Sequence, residues 1–108
     1  MPSNEQALTE STYYILLSLT GPQHGYGIMQ KTLEMSSGRV RLAAGTLYGA
    51  LSALTDRGWI RQLPSEPDSR KKEYIITEKG MKVLTGELER LKTMYTEGEK
   101  ILGQPKGE

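Results

Sequence analysis

In the last quarter of the chain, Met81, Leu84, Leu88, Leu91, Tyr95, Gly98 and Leu102 follow one another at spacings of 3, 4, 3, 4, 3 and 4 residues. This is an a/d heptad stripe sustained for about three heptads, and it specifies one continuous helix with an apolar seam. Thr77 and Glu78 supply a start signal for it, and Gly103 and Pro105 a stop. Such a helix outruns the core that 108 residues can bury by themselves. Its seam therefore needs a partner helix.

The elements before it are short and well punctuated. Thr9 reads as the N-cap of a first helix, with Glu10 at the positive end of its dipole and Leu8 placed to staple onto Tyr13; the helix runs to about Leu19, where Gly21-Pro22 breaks it. A second amphipathic segment from about Tyr26 to Met35 carries Ile28, Met29 and Leu33 on its apolar side and ends at Ser36-Ser37-Gly38. Arg39-Val40-Arg41-Leu42 alternates charged and apolar residues, which predicts a short half-buried strand. Leu47, Leu51 and Leu54 then line one face of a third helix, from Ala43 to Gly58, with Gly58 as a left-handed stop. Trp59 to Leu63 and Glu73 to Thr77 read as two strands around the turn-rich Pro64-Ser69, and so as a hairpin.

The fold class expected from this order is mainly α with a small β-hairpin. Residues 1–77 form a winged helix-turn-helix domain, residues 78–102 a long C-terminal dimerisation helix and residues 103–108 a flexible tail. In that arrangement the third helix enters the major groove of double-stranded DNA and the hairpin loop touches the flanking backbone. With the leucines turned inward, Thr46, Tyr48, Gly49, Ser52 and Asp56 face outward. Gly45 and Gly49 each cost roughly 1 kcal/mol against alanine in a helix interior, so a helix that holds them gains from close approach of another backbone or of nucleic acid.

Charge is distributed to match. The net formal charge is only +1, but from Gly38 to Lys72 seven basic residues (Arg39, Arg41, Arg57, Arg61, Arg70, Lys71, Lys72) face only Asp56, Glu66 and Asp68. Arg70-Lys71-Lys72, at the tip and return of the hairpin, can reach phosphates or a narrow minor groove. In isolation a basic triplet is more often a solvated loop; its position in the wing favours DNA. Arg39 and Arg41 read as exposed edge charges that add to the local field.

Composition removes other chemistry. There is no cysteine, so disulfides, thiolate metal sites and a cysteine nucleophile are excluded, and the single histidine, His24, rules out a multi-histidine metal site. No acid, base and nucleophile converge by spacing, so an enzyme is the weakest of the competing functions. No metal or cofactor is expected. The longest apolar run, Tyr13 to Leu17, cannot span a bilayer, and MPSNEQ has no signal-peptide character, so a cytoplasmic protein without membrane contact is expected. Gly25-Tyr26-Gly27 lacks the preceding strand and third glycine of a nucleotide loop.

At these residues the chain resembles the PadR family. The resemblance rests on His24-Gly25-Tyr26-Gly27-Ile28, on Gly45-Thr46-Leu47-Tyr48-Gly49-Ala50-Leu51, on Gly58-Trp59-Ile60, on Arg70-Lys71-Lys72-Glu73-Tyr74 and on Thr77-Glu78-Lys79-Gly80. It is similar to the compact branch, with one C-terminal helix after the wing. This implies a homodimeric repressor of transcription on a pseudo-palindromic operator, released by a small hydrophobic effector at the dimer interface. A winged-helix module for protein assembly without DNA is the competing reading.

The candidate DNA contacts are Thr46, Tyr48, Gly49, Ser52, Arg70, Lys71, Lys72, Tyr26 and His24. For His24 a phosphate contact and a turn or capping role are equally open; Tyr26 is expected to pack, leaving its hydroxyl free. The candidate dimer residues are Tyr14, Leu17, Met81, Leu84, Leu88, Leu91, Tyr95 and Leu102. Spacing leaves open whether the aromatic and aliphatic residues of the first and last helices are dimer core or the wall of an effector pocket. Trp59, where the family usually has an aliphatic residue, is expected in the core beside the hairpin.

Overall fold

A computed structural model describes residues 7–67 and 71–103. Helix α1 (Glu10–Ser18) leads to a two-residue strand β1 (Gln23–His24), then α2 (Gly25–Met35), α3 (Ala44–Asp56), β2 (Ile60–Gln62), β3 (Glu73–Ile76) and α4 (Glu78–Leu102). Three of the four helices begin on a side-chain cap: Thr9 accepts the Thr12 N–H, His24 the Gly27 N–H and Thr77 the Gly80 N–H. The helix ends are equally local. At α2, Ser37 is left-handed (φ 55°), with its N–H on Glu34 and the Gly38 N–H on Leu33; at α3, Gly58 is left-handed (φ 78°), with its N–H on Thr55 and the Trp59 N–H on Leu54. Both pairs are 5→2 and 6→1 Schellman bonds, which satisfy the orphan carbonyls.

The strands form a sheet in the order β1-β3-β2, antiparallel throughout, with Ile60 opposite Ile76, Gln62 opposite Tyr74, and Gln23 opposite Tyr74 on the other edge. The strand expected at Arg39–Leu42 does not form. The polar groups of that segment are engaged elsewhere: the Arg39 and Val40 N–H groups bond to the Ser36 carbonyl and hydroxyl, and the Arg39 side chain joins Glu10. The edge of β3 is occupied instead by Gln23–His24, so the hairpin becomes a three-stranded sheet.

One core holds these elements together. Ile15, Leu16 and Leu19 of the α1 region, Ile28 of α2, the α3 leucines Leu47, Leu51 and Leu54, Ile60, Tyr74 and Ile76 of the sheet and Leu84 of α4 are all buried. Trp59 packs partly buried against them, with the Arg57 guanidinium 4.9 Å from its ring centroid. Beyond Leu84, α4 leaves this core. Its 25 residues span ~37 Å, and the radius of gyration is 16.4 Å where a compact chain of this length has about 13 Å.

Candidate nucleic-acid interface

Helix α3 buries its leucines and leaves Thr46, Tyr48, Gly49 and Ser52 on the exposed side. Its N-cap, Ala43, has no side-chain acceptor, so no side chain of the cap residue covers the first N–H groups of the helix. Tyr48 is half exposed (50%) and leans on α2: a β-carbon at Gly25 would collide with the Tyr48 hydroxyl. Gly25 is therefore the seat that sets where the Tyr48 ring points. A β-carbon at Gly45 or Gly49 would meet open space, so among the described residues no close backbone approach explains those two glycines.

Next to Tyr48 lies a shallow hollow of ≈ 360 Å³ lined by His24, Gly25, Tyr26, Tyr48, Lys71 and Lys72. Residues up to 48 positions apart in sequence meet here, because β1 pairs with β3 and brings the start of α2 against the return of the wing. His24 caps α2 through Nδ1, 3.4 Å from the Gly27 nitrogen; a ring that accepts at Nδ1 carries its proton on Nε2 and presents a donor on its other side. Tyr26 does not pack as expected: it is 63% exposed, and its hydroxyl accepts a hydrogen bond from Gln30 (2.8 Å). Lys71 and Lys72 are exposed beside it. The hollow therefore combines two ammonium groups, an imidazole donor, two phenols and the positive end of a helix, a set that suits a phosphate oxygen.

Thr46 and Gly49 lie outside this hollow, on the exposed side of α3. Ser52 lines a smaller one, ≈ 190 Å³, with Leu51, Thr55, Asp56, Gln62 and Tyr74. Burial, with a smaller contribution from Tyr48, pushes the Tyr74 phenol above its usual range. Arg70 lies outside the described residues, as do the tail beyond Gly103 and Asp68-Ser69 of the expected turn.

The transcriptional regulator PadR-like family profile matches residues 15–86, from the core of α1 into α4. The chain belongs to this family. A regulator of the PadR family from Clostridium difficile R20291 has the same fold, with a TM-score of 0.72 at 21% identity over 88% of this chain and 100% of that one. NadR, solved in complex with 4-hydroxyphenylacetate, gives a TM-score of 0.65 at 21% identity over 92% of this chain and 66% of NadR. An uncharacterised 37.1 kDa protein of transposon TN4556 from Streptomyces fradiae is 39% identical over 67 residues. This chain spans only 18% of that protein's length.

In this PadR-like chain the apolar stripe of α4 divides in two. Leu84 is buried in the chain's own core, so it is not available to a partner as the heptad spacing suggested. Met81, Leu88 (55%), Leu91, Tyr95 and Leu102 (84%) are exposed, and Met94 and Ile101, outside the strict a/d register, widen the apolar face. Tyr14 and Leu17 are partly buried on α1. Two features were missed from sequence. Gly25 is one, although a glycine in a helix's first turn is a visible signal of close approach. The other is Glu87, buried on α4, whose carboxylate accepts two hydrogen bonds from Arg90 (2.8 and 2.6 Å).

Proposed function

We propose that the chain is a sequence-specific DNA-binding repressor that acts as a homodimer and leaves its operator when a small effector binds. The observation that carries this reading is the meeting of His24, Tyr26, Tyr48, Lys71 and Lys72 in one open hollow beside the exposed face of α3. In it α3 enters the major groove with Thr46, Tyr48, Gly49 and Ser52 toward the bases. The hollow and the wing, with Arg70, hold phosphates on either side. Because α3 offers no Arg, Asn or Gln before Arg57, selectivity depends on Tyr48, on the wing and on the spacing of two heads joined by α4.

Family membership supports transcriptional regulation, and the effector part of the reading draws support from NadR, a structural neighbour solved in complex with 4-hydroxyphenylacetate. The reading is tested by titrating the full chain onto labelled duplexes at several salt concentrations. Replacing Arg70, Lys71 and Lys72 with alanine should weaken binding to every duplex and flatten the log–log salt slope by up to about three units. Unchanged affinity and slope would favour the protein-assembly module instead.

A further inference from the structure

Two hollows on α3 have opposite chemistry. The one beside Tyr48 offers donors, from Lys71, Lys72 and His24, and suits phosphate. The other, ≈ 190 Å³, lies further along the helix, between α3 and the sheet. Its buried lining is Leu51 and Tyr74, and its exposed lining is Ser52, Thr55, Asp56 and Gln62. No cationic side chain is among the described residues that line it. Tyr48, Ser52 and Asp56 follow one another at four-residue spacing, so they form one row along the exposed side of α3. Gln62 ends β2, opposite Tyr74, and reaches the same hollow from the wing.

This second hollow is rich in acceptors. The Thr55 hydroxyl gives its proton to the Leu51 carbonyl (2.8 Å), which leaves only its lone pairs for anything else. Asp56 is an exposed carboxylate, and the guanidinium next to it in the chain, Arg57, lies over the Trp59 ring. Among the described residues, no hydrogen bond or ion pair engages the side chain of Asp56, Gln62 or Ser52. A carboxylate on a helix in the major groove repels phosphate and needs a donor from the nucleic acid. The base edges there offer one kind, the exocyclic amine: N6 of adenine or N4 of cytosine, whereas guanine shows N7 and O6, and thymine O4 and a methyl group. At ≈ 190 Å³ the hollow is also smaller than the roughly 300–1,000 Å³ pockets that enclose a free ligand, so it suits an edge rather than a whole molecule.

We propose that Asp56 and Gln62 are specificity-determining residues that together select one adenine in each half-site, Asp56 accepting from its N6 amine and Gln62 donating to its N7. Asp56 narrows the choice to adenine or cytosine, because guanine and thymine turn acceptors toward the carboxylate. Gln62 then narrows it to adenine, the one of those two that shows N7. The wing strand thus supplies the amide that the exposed face of α3 lacks. Asp56 stands ~12 Å along α3 from Tyr48. With α3 lying along the groove, the selected base is about three to four base pairs from the Tyr48 contact. The inference rests on the reading of α3 as the groove helix and adds the residues by which it discriminates.

Equilibrating the full chain with a pool of randomised duplexes and sequencing the bound fraction reads the preference at every position. The wild type should enrich adenine at one position of each half-site, and Asp56→Ala and Gln62→Ala should each lose that enrichment and no other. Alanine is the better helix former, so Asp56→Ala keeps α3. By removing a repulsive charge it should also tighten binding to random duplex, a gain that a damaged fold would not give. On the selected duplex, unsubstituted purine in place of the adenine removes N6, and 7-deazaadenine removes N7. Purine should weaken the wild type by about fivefold or more and spare Asp56→Ala; 7-deazaadenine should weaken the wild type and spare Gln62→Ala. Enrichment of cytosine, guanine or thymine in adenine's place, adenine enrichment that survives in both variants, or analogues that weaken the variants as much as the wild type would each overturn the inference while the repressor reading stands. A wild type that binds no duplex would defeat both.

Discussion

Gly25, Gly49 and Gly80 are all helical glycines, yet they answer to different constraints. A β-carbon at Gly80 would collide with the Trp59 carbonyl and crowd Ile76, so Gly80 lets α4 start hard against the backbone that leads into β2. Gly80→Ala should therefore destabilise the fold by about 1–3 kcal/mol, the range of an overpacked core. Gly49 faces open space, so Gly49→Ala should instead stabilise the free protein by up to about 1 kcal/mol through helix propensity while weakening its binding to DNA. Chemical denaturation and duplex titration of the two variants, side by side, check both signs. At this scale sequence was informative about type and less so about neighbours. It marked His24, Tyr48 and the wing lysines individually, and it supplied capping as one of two roles for His24. It placed Tyr26 in the packing because an aromatic beside an apolar helix face usually is; here the ring lies outside the core and bonds to Gln30. Contacts such as Tyr48 on Gly25 depend on the angle between two helices, which no spacing within either helix encodes.

At the scale of elements, helices were legible because their ends are chemically marked: Thr9, Thr77, Gly58 and Gly103 all act where spacing placed them. The strand at Arg39–Leu42 was not. Alternation over four residues reports two environments but not a hydrogen-bonding partner, and the partner edge of β3 is taken by Gln23–His24. The heptad stripe likewise reports an apolar face without saying how far along it the chain's own core extends. Where α4 meets α1, the Arg90 guanidinium, aided by the Leu8 N–H and opposed by burial, holds the Glu87 carboxyl below its ordinary range. A carboxyl lowered on folding stabilises fully above its unfolded value, and that contribution is lost as pH falls through the lowered folded value. Glu87→Gln should therefore reduce stability at neutral pH and flatten its decline on acidification below the ordinary glutamate range. Urea midpoints of both proteins at neutral pH and near pH 3 give the comparison; parallel declines would contradict it.

For the whole molecule, the elongated shape follows from α4 carrying Leu88, Leu91, Met94, Tyr95, Ile101 and Leu102 past the core, where each keeps an exposed apolar surface. An exposed apolar face of that length marks an association surface, and a two-fold pairing of α4 with a second copy is the arrangement that would cover it in both chains at once. The double substitution of Leu88 and Leu91 by glutamate should shift the protein to monomer in sedimentation velocity and leave its circular dichroism largely intact, because neither residue belongs to the buried core. The same variant should lose most of its affinity for a two-half-site duplex, since each reading helix would then bind alone. Footprinting of the full chain on the DNA upstream of its own gene tests the account most directly. Two protected half-sites should appear on one face of the duplex, separated by one or two helical turns of roughly 34 Å each. No protected site there, together with no duplex bound more tightly than random DNA at moderate salt, would contradict the assignment of α3 and the wing as a DNA-reading surface.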